Sequence, residues 1–197
     1  MSLIFQRIPR AAACAFTFAP LQAVSHASPT PHIHFPIIHS RSTSAMAATD
    51  ATMQTFFQSP NYAVVGASTN PAKFGHKVLK WYITRDIPAK PINPVASAIK
   101  VDDKDYPTIP SISALENPKE TSISFITAPP ITRKSLEEAK GLGVPAVWLQ
   151  PGTFDDEVLQ YARDNFKAVV AGEGGWGGEG WCVLVDGDRG LKAAGKL

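Results

Sequence analysis

Between Tyr62 and Val170 the chain alternates short apolar runs with stretches of helical spacing. That alternation restricts the fold more than any other feature of the sequence. Tyr62-Ala63-Val64-Val65-Gly66 reads as a buried strand closed by glycine. Phe74, Val78, Leu79 and Tyr82 then fall on one helical stripe over residues 74–85, with Lys73, Lys77 and Lys80 on a neighbouring one. The prolines of Ile87–Pro94 bar a helix and fit an edge strand running into a turn. Residues 95–121 are polar and read as irregular, with one short helical turn near 112–116. A strand is expected at 122–127, then a helix at 131–140 with Thr132 as its cap and Gly141 and Gly143 closing it. Residues 146–150 form the next strand. The next helix, 154–166, takes Thr153 as its cap and has Asp155, Asp156 and Glu157 in its first turn. A last clear strand is expected at 167–170, and residues 181–185 add one further short element.

The order β-α-β-loop-β-α-β-α-β specifies an α/β fold: a Rossmann-like, doubly wound parallel sheet with helices on both faces. Parallel crossovers are right-handed, which nearly fixes the topology. The domain is expected over 56–190, behind a disordered leader at 1–49. In such sheets ligands sit at the carboxyl ends of the strands. The positions to inspect are therefore 66–76, 93–96, 127–131 and 150–153.

Charge supports the division into leader and domain. The 197 residues hold 19 Lys+Arg and 17 Asp+Glu. Residues 1–49 contain Arg7, Arg10 and Arg41 and no acid, which leaves 16 basic against 17 acidic groups in the remaining 148. A neutral domain offers no electrostatic case for nucleic acid or an anionic membrane as partner. The acid-free, serine-rich leader resembles a mitochondrial transit peptide, which implies the matrix. Translation from Met46 would instead leave the protein in the cytoplasm. No run of 18 apolar residues suggests a membrane span. One cysteine in the domain, Cys182, cannot form an internal disulfide, which fits a reducing compartment. His32, His34 and His39 are loosely spaced among prolines without acidic or thiolate ligands, so no metal site is expected.

The loop 66–76, Gly-Ala-Ser-Thr-Asn-Pro-Ala-Lys-Phe-Gly-His, leaves a strand and opens a helix. Gly66 permits a tight turn and close backbone approach. The free amides and positive dipole end of the following helix make an anion site. Ser68 and Thr69 can add hydroxyl donors, Lys73 a charged donor to phosphate, and Gly75 allows close packing. The competing explanation is that both glycines serve packing alone. A nicotinamide dinucleotide would call for Gly-x-Gly-x-x-Gly and an acid ending the second strand. Here the central glycine is absent and the second strand ends Ile92-Asn93-Pro94; Asp86 precedes that strand and falls at its wrong end. His76, a lone histidine at a helix start with no acid–base partner, reads as structural.

Three segments resemble a known family. Tyr62–Ser68 with Asn70-Pro71, Lys73 and Gly75 is similar to the opening of the small stand-alone CoA-binding domain proteins, the YccU-like family. Pro91-Ile92-Asn93-Pro94 is similar to that family's Pro-Val-Asn-Pro element. Val147-Trp148-Leu149-Gln150-Pro151-Gly152 is similar to its Val-Trp-Leu/Met-Gln-x-Gly. The matches lie in the right order over about 60–185. The fold is shared with the CoA-binding half of the succinyl-CoA synthetase α subunit, whose phosphorylated histidine belongs to a second domain that has no counterpart here. The resemblance implies a site for coenzyme A or an acyl-CoA. Gly66, Ser68, Thr69, Lys73 and Gly75, with Ala67 and Phe74 in the same loop, would surround the phosphates. Asn93 and Pro94 would border the adenine or ribose. Ala128, Pro129 and Pro130 would flank the pantetheine arm.

No catalytic residue is assigned. Cys182 sits where the family often has cysteine, but Trp181 and Val183-Leu184-Val185 around it suggest a buried, inert thiol. The run Gly172–Gly180 departs from the family as a long glycine-rich loop. It is expected to be mobile, and as a phosphate cradle it is weak because no helix clearly follows. The leading expectation is a non-catalytic CoA-binding or regulatory module. The alternatives are an NAD(P)-dependent oxidoreductase, argued from the fold alone, and an interaction protein with a vestigial pocket.

Overall fold

The computed structural model describes the backbone of residues 40–197 and the side chains of residues 49–197. Most of the leader, with its cysteine and histidines, lies outside the described residues. The chain order is α1 Ser40–Phe57, β1 Asn61–Val65, α2 Phe74–Ile83, β2 Ala89–Ile92, β3 Ala98–Val101, β4 Lys104–Pro107, β5 Thr121–Phe125, α3 Pro129–Gly141, β6 Ala146–Leu149, α4 Asp156–Asn165, β7 Ala168–Val170 and α5 Val183–Ala193. Five strands form one parallel sheet in the order β2-β1-β5-β6-β7. The doubly wound parallel sheet expected from the alternation is therefore present, and the order switches beside β1.

Alternate residues of each strand face opposite layers. Tyr62, Val64, Ala146, Trp148, Ala168 and Val170 pack with α1, α2 and α5. Ala63, Val65, Ile123, Phe125, Val147 and Leu149 pack with α3 and α4. Strand β5 is buried along its whole length although it carries Ser122 and Ser124. Both hydroxyls are satisfied on the first face: Ser122 donates to the Phe56 carbonyl at 2.8 Å, and Ser124 bonds the Tyr82 hydroxyl at 2.8 Å. Burial pushes the Tyr82 phenol far above its ordinary pKa, with the Ser124 bond opposing the shift.

Several elements differ from the sequence expectations. Helix α1 has no counterpart among the expected elements, and its Met53, Phe56 and Phe57 are fully buried. Phe56 and Phe57 both meet the Trp148 ring edge-on, at 5.5 and 5.8 Å between centroids. Each such pair adds about 0.5–1.5 kcal/mol beyond its area burial. The irregular region at 95–121 contains an antiparallel hairpin, β3–β4, turning at Asp102 with φ 52°. The short helical turn forms at Ile112–Ala114.

The caps move as well. Helix α3 begins at Pro129 behind Ala128, so Thr132 lies inside it and donates to the Thr127 carbonyl instead. Helix α4 is capped by Asp155, which accepts from the Val158 amide at 2.9 Å, rather than by Thr153. The short element at 181–185 is the start of an eleven-residue helix, α5.

The two sheet edges are protected differently. Along β2, Ile109 pairs with the outer side of Pro91 and Asn93: its amide donates to the Pro91 carbonyl at 3.1 Å and its carbonyl accepts from Asn93 at 3.0 Å. The other edge, β7, is three residues long. No helix among the described residues is long and apolar enough to cross a membrane.

Candidate functional site

Strand β1 is followed by Gly66, whose φ of 86° lies in the left-handed region that favours glycine. A Cβ there would stand 2.9 Å from the Ile126 carbonyl oxygen, so β1 and the loop after β5 meet backbone to backbone. The approach at Gly75 is closer: a Cβ would fall 2.0 Å from the Gly66 carbonyl oxygen. The second residue of α2 thus rests directly on the end of β1. Packing alone demands both glycines here.

The loop is held open by its own side chains. Asn70 accepts from the Ala72 amide at 2.9 Å, and the Ser68 hydroxyl accepts from the Asn70 amide at 3.2 Å. The buried His76 ring donates from Nδ1 to the Ser68 carbonyl at 3.0 Å, because a carbonyl can only accept. Asn93, at the end of β2, donates from Nδ2 to the Ala67 carbonyl at 2.8 Å, and its Oδ1 accepts from Val95 and Ala96 at 2.8 and 2.9 Å. Asn93 therefore clamps the β1 and β2 loops together. His76, expected to be structural, positions the loop from below.

This scaffold leaves amides without acceptors. Among the described residues, the backbone N–H groups of Ala67, Ser68, Thr69, Phe74 and Gly75 find no partner. The residue capping α2 is Lys73, which supplies no side-chain cap, and the first turn carries no acid. A cavity of about 530 Å³ opens there, lined by Gly66, Ala67, Ser68, Ala72, Lys73, Phe74, Gly75, Asn93 and Ile126. Seven of the twelve residues expected at the site line it. Of the others, Thr69 is an exposed neighbour in the same loop, Pro94 follows Asn93, and Ala128, Pro129 and Pro130 open α3 beyond Ile126. Ala72 and Ile126 were missed. A small residue and a main-chain turn carry no sequence signal for a ligand.

The other helices that follow sheet strands do not offer an anion this opening. Helix α3 places Pro129 and Pro130 at its first positions, which removes two donors, and the next two amides, Ile131 and Thr132, bond the Ala128 carbonyl at 2.9 Å. Helix α4 begins with Asp155, Asp156 and Glu157. Helix α5 carries its own anion: the fully buried Asp186 accepts from Cys182 N at 3.0 Å and from Trp176 N at 2.9 Å.

That carboxylate also holds part of the glycine-rich loop. Gly175 passes so close that a Cβ would meet Asp186 Oδ2 at 2.9 Å, and Gly180 N donates to the Gly174 carbonyl at 3.0 Å. The Trp181 indole donates to the Glu173 carbonyl at 3.1 Å. The loop is wrapped on an internal charge rather than shaped for an external one. Cys182 caps α5, where a helix start would favour thiolate. Burial outweighs that and raises its pKa; the amides of Leu184 and Val185 oppose the rise, and Asp186 adds to it. Cys182 is half-buried rather than buried as its neighbours suggest, and the raised pKa is the part of that expectation that holds.

A second cavity, about 510 Å³, lies at the opposite end of the sheet beside Asn61, Ala89 and Thr121. Asp86 and Glu116 line it with Lys90, and the carboxyl-terminal part of α2 borders it through Ile83. Acids and the negative end of a helix disfavour phosphate, although the volume is close to that of the first cavity. Chemistry rather than size separates the two.

Comparison with known proteins identifies a family and shared folds. Residues 60–176 match the family model described as a CoA binding domain. A hypothetical protein from Pyrococcus horikoshii OT3 is similar at 21% identity, over 61% of this chain and 82% of its own, with a TM-score of 0.54. A protein from Thermus thermophilus is similar at 21% identity, over 61% and 88%, with a TM-score of 0.52. A conserved hypothetical protein from Pyrococcus furiosus shares 27% identity over 55% and 90%, with a TM-score of 0.49.

Proposed function

The chain belongs to the CoA-binding domain family, and on that premise we propose that it binds coenzyme A or an acyl-CoA in the cavity between β1, α2 and the end of β2, as a non-catalytic binding or regulatory module. The observation that carries this reading is the set of unpartnered amides at Ala67, Ser68, Thr69, Phe74 and Gly75 around the uncapped start of α2. A pyrophosphate would satisfy these donors and meet the positive helix end, with Lys73 adding a charged hydrogen bond. The proline-led start of α3 has the opposite character and suits the less charged pantetheine arm.

The same geometry disfavours the oxidoreductase alternative. A dinucleotide ribose would need an acid at the end of β2. Asn93 stands there, and its carbonyl oxygen already accepts two amides.

The test is isothermal titration of the full chain with CoA, NAD and NADP in parallel. Selective, saturable CoA binding is expected. Lys73→Ala should weaken it by about 1–3 kcal/mol, the range for a charged hydrogen bond. Binding of NAD or NADP without CoA would refute the reading. A folded chain that takes neither cofactor but captures a protein partner would favour a vestigial pocket.

A further inference from the structure

Six large apolar side chains are exposed among the described residues, and two of them are Phe74, at the start of α2, and Val95, two residues after the cavity-lining Asn93. Phe74 is 55% exposed although it opens α2 and lines the cavity together with Asn93. An aromatic ring left in water at a cavity mouth contributes nothing to the core and offers a flat π surface. Lys77, one turn further along α2, holds its Nζ 5.6 Å from the centre of that ring. Lys80 is paired with Asp102. Lys73 and Lys77 form no ion pair among the described residues.

We propose that Phe74 and Lys77 form the adenosine end of the site: the ring stacks on the adenine, and the ammonium reads the 3′-phosphate of the ribose. The inference rests on the proposed CoA site and adds to it a means of selecting CoA over ligands that lack the third phosphate. The roles divide by position. Lys73, at the helix start, lies with the unpartnered amides and serves the pyrophosphate. Lys77 lies beyond the ring, outside the cavity lining, where a phosphate attached to a stacked nucleoside would project. Pantetheine has no aromatic group to stack and no anion to pair with Lys77, so the Phe74 side suits the nucleotide.

The experiment titrates the full chain, Lys77→Gln and Phe74→Leu with CoA and with 3′-dephospho-CoA. Both positions are exposed, so neither change threatens the fold. The wild-type chain is expected to prefer CoA by about ten-fold, as one charge-assisted hydrogen bond to phosphate would give. Lys77→Gln should bring CoA down to the level of dephospho-CoA while leaving the latter within about two-fold, as for loss of a distant exposed charge. Phe74→Leu should weaken both ligands together by about five-fold or more, as loss of base stacking does. An unchanged CoA preference in Lys77→Gln, or unchanged affinities in Phe74→Leu, would overturn this inference while the CoA site stood. Failure of the wild-type chain to bind CoA would overturn the site and the inference together.

Discussion

Replacing Gly75 by alanine tests the point where fold and site depend on the same atoms. The added Cβ would lie 2.0 Å from the Gly66 carbonyl oxygen, 3.0 Å from its carbonyl carbon and 3.3 Å from Ala67 Cα. All three are backbone atoms, so no side chain can rotate away. Real Cβ contacts almost never fall under 3.0 Å. The start of α2 must therefore retreat from β1 by about 1 Å in an interior packed at crystal density. Overpacking of this kind costs about 1–3 kcal/mol. Alanine is the better helix former by about 1 kcal/mol, which offsets part of the loss. The expected net destabilisation is up to about 2 kcal/mol, readable as a lower urea midpoint at constant slope. Gly141, at the end of α3, has open space where its Cβ would go. Gly141→Ala is the matched control and should be neutral or stabilising by up to about 1 kcal/mol. The retreat of α2 should also spread the amides of Phe74 and Gly75 away from the loop and weaken CoA. A Gly75→Ala chain as stable as Gly141→Ala, with undiminished CoA binding, would refute the close contact and the account of the site built on it.

Gly190→Ala should cost about 1–3 kcal/mol in urea unfolding, because its Cβ would meet the buried Phe57 ring at 2.6 Å. Asp186→Asn leaves one carbonyl oxygen for two amide donors and should cost about 1–3 kcal/mol. Hydrogen exchange at Trp176 and Cys182 should rise with it, and unchanged protection there would remove the carboxylate from its place as anchor of the loop. Cys182 has a raised pKa, so its thiolate fraction at a given pH falls below that of a free cysteine. In a Cys14→Ser chain, alkylation by iodoacetamide at pH 8 should be slower than that of free cysteine and should accelerate as pH rises further. A faster reaction would show that the helix start, not burial, sets the thiol.

The sheet was legible because its strands are short, apolar and separated by helical spacing, and because Gly66 and Gly75 punctuate the first crossover. The edge placement of β2 followed from Pro88 and Pro91 alone. Helix α5 was hidden for a physical reason: Gly187 and Gly190 depress helix propensity, yet they are there because Trp81 and Phe57 occupy the space a Cβ would take. Tertiary packing overrode the local preference. Helix α1 offered a signal, since Met53, Phe56 and Phe57 share a helical face, but the acid-free composition upstream masked it. Within the site, the loop after β1 announced itself through residue types. The clamp by Asn93 and the support from His76 depend on hydrogen bonds between residues far apart in the chain, and no local pattern encodes those.

The treatment of the two sheet edges bears on how the protein behaves at high concentration. An exposed parallel edge is a template on which another chain can add a strand. Here Pro91 removes one edge donor outright, Ile109 occupies the Pro91 carbonyl and the Asn93 amide, and Lys90 adds charge beside them. The three residues of β7 are too short to hold an added strand in register. A sheet finished in this way resists growth into fibrillar or amorphous aggregates even while its carboxyl end stays open to a ligand.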